Sequence, residues 1–224
     1  MPLAELAPRR FALIVFDWDG TLIDSTMLIA DSLQRACHDV GEPVPTDIDA
    51  RYVIGLGLID ALKHVAPGLP PERYGELAAR YRHHFLLRDA QIELYAGARE
   101  LLADLAAAGF LLGIATGKSR AGLDRALAQQ QLNGLFAATR CADEGFPKPH
   151  PDMLERLMDR VGVAPHETLM IGDTTHDLEL ARNAGASALA VAYGAHHADG
   201  LDALAPLATV HSIAELRAWL IANA

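Results

Sequence analysis

The run at residues 11–16, FALIVF, carries no polar side chain and ends against Asp17 and Asp19, followed by Gly20 and Thr21. An uninterrupted apolar run of this length reads as a strand buried on both faces, which calls for a sheet with helices packed on either side. Sheets of that kind hold their ligands beyond the carboxyl ends of their strands, which is where Asp17 and Asp19 fall. Neither carboxylate can pack in a core, so a cation or a reaction has to account for the placement.

The rest of the chain can build that sheet. Residues 24–40 show helical spacing, with Leu28, Leu33 and Cys37 among polar positions and Asp24 or Ser25 as the N-cap. Residues 46–90 read as further helices, broken at Gly55, Gly57 and the prolines of 67–71, with no strand among them. Consecutive helices between a first strand and the next imply an inserted helical subdomain, 25–92, in a core made of 1–24 and 93–224. From Gly97 onward helices at 98–108, 119–130, 151–161, after 173 to about 184, and 212–222 alternate with strands at 110–116, 136–141, 168–173, 188–193 and 207–210. That alternation gives βαβ units, and so an α/β fold with a Rossmann-like, mainly parallel sheet covered by helices on both faces.

Composition narrows the function classes. The 224 residues include 29 acidic and 19 basic side chains, a net charge of −10, which opposes a nucleic-acid backbone or an anionic membrane as partner. No segment approaches the ~18 apolar residues of a membrane span. The opening MPLAELAPRRF lacks the basic region and apolar run of a secretory signal. Cys37 and Cys141 are too few for a disulfide framework. The expectation is a cytoplasmic protein acting on a small molecule.

Polar residues follow the strands in a consistent way. The first strand ends in Asp17 and Asp19, the second in Thr116, Gly117 and Lys118; Lys148 follows the weak strand inside FPKPHPD, and Asp173 closes TLMIGD with Asp177 four residues on. All follow carboxyl ends in one sheet and so can share one crevice. Asp17, Asp173 and Asp177 offer hard oxygen ligands suited to Mg²⁺, which would neutralise a phosphate group and screen it from Asp17. Asp17 can then attack phosphorus and form an aspartyl-phosphate. The Thr116 hydroxyl, the Gly117 N–H and the Lys148 charge can receive the phosphoryl oxygens. Asp19 can protonate the leaving oxygen and later activate water.

With DWDGT, ATGK, KPHPD and GDTTHD in this order from Phe11 to about Gly194, the chain resembles the haloacid dehalogenase-like hydrolases, and within them the phosphoglycolate phosphatase subgroup. The resemblance implies Asp17 as nucleophile, Asp19 as general acid/base with its main-chain carbonyl on the metal, Thr116 and Lys148 on the phosphoryl group, and Asp173 on Mg²⁺. Asp177 would stand behind the metal or reach it through water, and the helical insert would be a mobile cap. Family dehalogenases and phosphonatases lack the second acid, so Asp19 favours phosphoryl transfer. The sugar-phosphate mutases carry a cap histidine where this chain has Ile29, which weighs against the alternative of a phosphomutase. A more distant alternative, a non-enzymatic phospho-aspartate signalling module, sits badly with Asp19 and with the insert. The expected function is Mg²⁺-dependent hydrolysis of a small phosphorylated metabolite.

Other residues have plainer readings. Asp177 can simply cap its helix, and Lys118 and Arg120 are expected to be exposed. Gly55 to Gly57 form either a loop lowered over the substrate or a helix break needed for packing. Trp18 is expected to pack against the cap or the core. The pairs His83–His84 and His196–His197 lack ligand spacing to an acid and are not read as a metal site.

Overall fold

The computed structural model describes residues 10–224; the reading of the N-terminal leader falls on residues 1–9, outside them. Six strands form one sheet: β1 (Leu13–Phe16), β2 (Leu111–Thr116), β3 (Ala138–Cys141), β4 (Thr168–Gly172), β5 (Ser187–Val191) and β6 (Thr209–Val210). Their order is β3-β2-β1-β4-β5-β6, and every pairing is parallel. β1 is therefore central, with Phe16 in register beside Ile114 of β2 and Ile171 of β4.

The apolar run explains that position. Ile14 and Phe16 face one layer of helices, while Leu13 and Val15 face the other, as a period of two demands. The first face packs on α5 (Ala98–Ala107), α6 (Arg120–Gln129) and α10 (Ile213–Asn223), through Leu101, Leu123 and Leu216. The second packs on α7 (Asp152–Val161) and α8 (Thr175–Asn183), through Leu157 and Leu180. Trp18 lies in the first of these cores, fully buried.

Between β1 and β2 come α1 (Thr26–Val40), α2 (Asp47–Tyr52), α3 (Leu58–Val65) and α4 (Tyr74–Leu86). They gather an apolar cluster of their own, in which Leu33 and Cys37 meet Leu62, Leu77 and Phe85. The chain leaves and re-enters the sheet along paired segments: Asp24 N–H donates to Glu93 O at 3.0 Å and Tyr95 N–H to Leu22 O at 3.0 Å. Ser25 stands at the N-cap of α1 without capping it, because its hydroxyl is spent on Asp19. A short helix α9 (Ala198–Asp202) lies between β5 and β6, which sequence reading missed. One turn with Gly200 inside has no visible periodicity, and it is held by burial of Leu201 against Leu178 and Ala190.

Strand order fixes where the site must lie. The chain steps from β1 to β2 and β3 on one side and resumes with β4 on the other, so the crevice opens between the ends of β1 and β4. Asp17 and Asp173 are the first residues beyond those ends.

Candidate active site

Asp17 continues β1, its N–H donating to Ile171 O at 2.9 Å, and its side chain is fully buried. Lys148 enters from the segment after β3 and is 2% exposed. Its ammonium lies 2.8 Å from Asp17 Oδ1 and 2.6 Å from Asp177 Oδ1. Burial works against the ammonium, but Asp17 and Asp177 outweigh it and hold the Lys148 pKa above its usual value. The approach to Asp17 is off the direction of a good hydrogen bond, and both Asp17 oxygens lack a well-directed donor.

Asp173 is held differently. Oδ1 accepts from the Thr21 hydroxyl at 2.7 Å and Oδ2 from the Ala195 N–H at 2.7 Å. Gly20 and Gly194 are required here, since a Cβ at either would collide with the Asp173 carboxylate. Ligand atoms of Asp17, Asp173 and Asp177 lie within 4.8 Å of one another. Burial, and then the neighbouring Asp177, push Asp173 up to about 7. Burial also drives Asp17 well above the carboxylate range, with Asp177 and Asp173 adding to it and Lys148 opposing. Three buried acids sharing one ammonium are short of positive charge, and two Asp17 oxygens have no directed donor. This donor set fits a hard divalent cation such as Mg²⁺.

Asp177 has both oxygens engaged. Beside Lys148, its Oδ2 accepts from the Thr174 N–H at 3.1 Å and the Thr174 hydroxyl at 2.7 Å, and Thr174 caps α8 in return. Asp177 therefore does cap its helix, and the same carboxylate orients Lys148. A further share in a metal would have to compete with those donors.

Asp19 faces another way. Its Oδ1 accepts from the Ser25 hydroxyl at 2.7 Å and lies 3.0 Å from Lys118 Nζ. Its carboxylate stands outside the acid cluster of Asp17, Asp173 and Asp177. Thr116, at the end of β2, is fully buried, with its hydroxyl accepting from the Lys118 N–H at 3.3 Å. Gly117 meets the helical insert: a Cβ there would strike the carbonyl oxygens of Gly55 and Leu56. The Gly55–Gly57 loop thus rests on the strand ends, a packing contact between insert and sheet.

Lys118 is a correction. It is half-buried, paired with Asp19 and 4.9 Å over the Phe85 ring, because the turn after β2 points it under α4 and away from water. Arg120 is likewise only partly exposed, but it turns to Glu144 at 2.8 Å and takes no part in the crevice. Sequence reading also missed the joint between insert and sheet. The Tyr52 carbonyl accepts from His176 Nε2 at 2.9 Å and His196 Nε2 at 3.0 Å, with the Tyr52 ring stacked on His196 at 5.4 Å. His196 Nδ1 accepts from the Thr175 N–H at 3.1 Å, which fixes the tautomer, and burial lowers both histidine pKa values. His84 instead pairs with Asp39 at 2.7 Å on the insert's outer face.

A family model described as haloacid dehalogenase-like hydrolase matches residues 14–191, the stretch that carries Asp17, Asp19, Thr116, Lys148, Asp173 and Asp177. The chain belongs to that family. The hydrolase is 34% identical over 210 residues to "Probable phosphatase IndB" of Dickeya dadantii, covering 91% of each chain. It is 32% identical to a phosphoglycolate phosphatase of Vibrio vulnificus, covering 94% of this chain and 96% of that one. Its fold matches a hydrolase from Pseudomonas syringae with a TM-score of 0.86 at 23% identity, over 94% and 97% of the two chains. Among its described residues no helix is long and apolar enough to cross a membrane.

Proposed function

We propose that this hydrolase is a Mg²⁺-dependent phosphatase of a small phosphorylated metabolite, with Asp17 as nucleophile and residues 25–92 as a cap over the site. The observation that carries the reading is the Lys148 ammonium, buried between Asp17 and Asp177 at the strand ends. It offsets the charge with which Asp17 would otherwise repel a phosphate, and Asp177 keeps it there. Asp17, Asp173 and the Asp19 main-chain carbonyl would hold the metal, with Asp177 behind them. Bound Mg²⁺ would neutralise phosphoryl oxygens and act as Lewis acid.

Asp17 attacks phosphorus, forming an Oδ–P bond as the ester P–O bond breaks. Asp19 relays a proton to the leaving oxygen; Ser25 and Lys118 hold its side chain in place. Water then attacks the aspartyl-phosphate, Asp19 takes its proton, and phosphate leaves as Asp17 is restored. Thr116, Gly117 and Lys148 receive the phosphoryl oxygens. The cap loop against Gly117 keeps bulk water from the intermediate. Phosphatase names among its relatives support this reading. Two free, buried cysteines, Cys37 and Cys141, support a place in the cytoplasm.

The test is phosphate release from a panel of phosphorylated metabolites with and without Mg²⁺. Release that depends on Mg²⁺ and is lost in Asp17→Asn supports the proposal; undiminished turnover in that variant overturns it.

A further inference from the structure

A cavity of about 570 Å³ lies between the insert and the strand ends, reached from the catalytic side at Asp19 and Gly117. Clefts of ~300–1,000 Å³ enclose ligands of drug size, so there is room for far more than glycolate beyond the phosphoryl site. Its walls are chiefly apolar, with Ile29, Leu33, Val53, Ile54, Tyr81 and Phe85 among them. Tyr81 and Phe85 stack with ring centroids 5.9 Å apart.

The cations of the cavity are mostly committed. Lys118 is paired with Asp19 at 3.0 Å and Arg125 with Asp89 at 3.0 Å. Arg82, exposed at the rim, makes no ion pair among the described residues. A carboxylate placed beside the phosphoryl group, at the Asp19 and Gly117 side, would therefore meet apolar wall or Asp19, the one unpaired cation of the lining, Arg82, being solvent-exposed, and an unpaired buried charge is strongly disfavoured. An apolar group there would displace water from surface that gains by losing it.

Resting on the phosphatase reading, we infer that the preferred substrate is a phosphomonoester whose alcohol is ring-sized and largely apolar, and that a short hydroxy acid such as glycolate is a poor leaving group for this pocket. Tyr81 and Phe85 on α4, with Leu33 and Ile29 on α1, set that preference.

The experiment compares kcat/KM for benzyl phosphate, cyclohexylmethyl phosphate and 2-phosphoglycolate with Mg²⁺. All three esters have alkoxide leaving groups, so pocket fit separates them more than leaving-group reactivity. Both ring substrates should exceed 2-phosphoglycolate by at least about tenfold, the scale expected for burying a few methylenes. The ratio of benzyl phosphate to 2-phosphoglycolate should also fall at least about threefold in Phe85→Leu. Because that ratio is taken on one enzyme sample, partial misfolding of the variant cancels. If 2-phosphoglycolate is turned over as well as or better than the ring esters, or if the ratio is unchanged in Phe85→Leu, the inference is overturned and the phosphatase reading stands. Absence of phosphate release from any ester overturns both.

Discussion

Lys148 and Asp177 meet at 2.6 Å with both side chains sealed from solvent. Asp17 stands on the other side of the same ammonium at 2.8 Å. One cation thus serves two buried acids, one at the end of β1 and one in the first turn of α8, and removing it leaves both uncompensated. Replacement of Lys148 by Met should destabilise the fold by ~3 kcal/mol, the scale for breaking a buried pair from one side. Urea denaturation at pH 8 checks this; a loss below ~1 kcal/mol would show that the lysine is not structural.

Asp17→Asn keeps the shape of the nucleophile and leaves Lys148 its bond to Asp177. Folding should be preserved while turnover falls by three orders of magnitude or more, on the order seen when a nucleophile is removed. Circular dichroism together with single-turnover kinetics distinguishes this from an unfolded variant.

The acid cluster makes stability depend on pH and metal together. Asp173 is pushed up from 3.8 to about 7 in the folded chain, so between those values the folded state holds more protons than the unfolded one. The contribution of Asp173 to metal-free stability should therefore be greatest at the acid end of this window and fall as pH rises toward about 7, against the opposite trend of the buried His176 and His196. Mg²⁺ prefers the ionised carboxylates, so the Tm gain it gives should grow over the same interval. Scanning calorimetry in chelator and in millimolar Mg²⁺ measures both trends; a Tm indifferent to Mg²⁺ across the window would contradict the metal assignment.

Ser25 donates to Asp19 at 2.7 Å and is fully buried. Ser25→Ala should cost Asp19 its orientation and lower kcat by about tenfold or more, as loss of a hydrogen bond worth ~1.5 kcal/mol, the low end for a charged acceptor, implies. Steady-state kinetics at saturating substrate reads this directly, and an unchanged kcat would release Asp19 from the role proposed for it.

At Gly117 the backbone of the insert sits where a side chain would be. Gly117→Ala should push the Gly55–Gly57 loop away from the strand ends. Faster hydrogen exchange at residues 53–57 and a lower kcat/KM are the expected results. Unaltered exchange there would mean that the loop does not rest on Gly117.

How much of this was legible beforehand differs from residue to residue. The apolar run at 11–16 and the acids after it placed β1, its two buried faces and the crevice at its end, because a strand's period and its ending are properties of a few adjacent residues. The order of polar residues after β2, β3 and β4 likewise brought Thr116, Lys148 and Asp173 to one end of the sheet. Lys118 was misjudged as exposed because nothing within its own turn shows that Asp19 and Phe85 wait beside it. The Tyr52 joint was invisible for the same reason, since its partners lie 124 and 144 positions away.

The sequence by itself determined most of the elements, the burial of β1 on both faces and the set of acids and lysines available to one crevice, since each follows from local spacing and from the rule that ligands gather beyond strand ends. Tertiary structure decided which polar groups pair: Lys148 with Asp17 and Asp177, Lys118 with Asp19, and the Thr21 hydroxyl with Asp173 across 152 positions. It also decided the size and apolar lining of the cavity, because those are set by how the insert's helices settle on the sheet. Pairing and shape depend on distances between segments remote in the chain, and no local pattern encodes a distance of that kind.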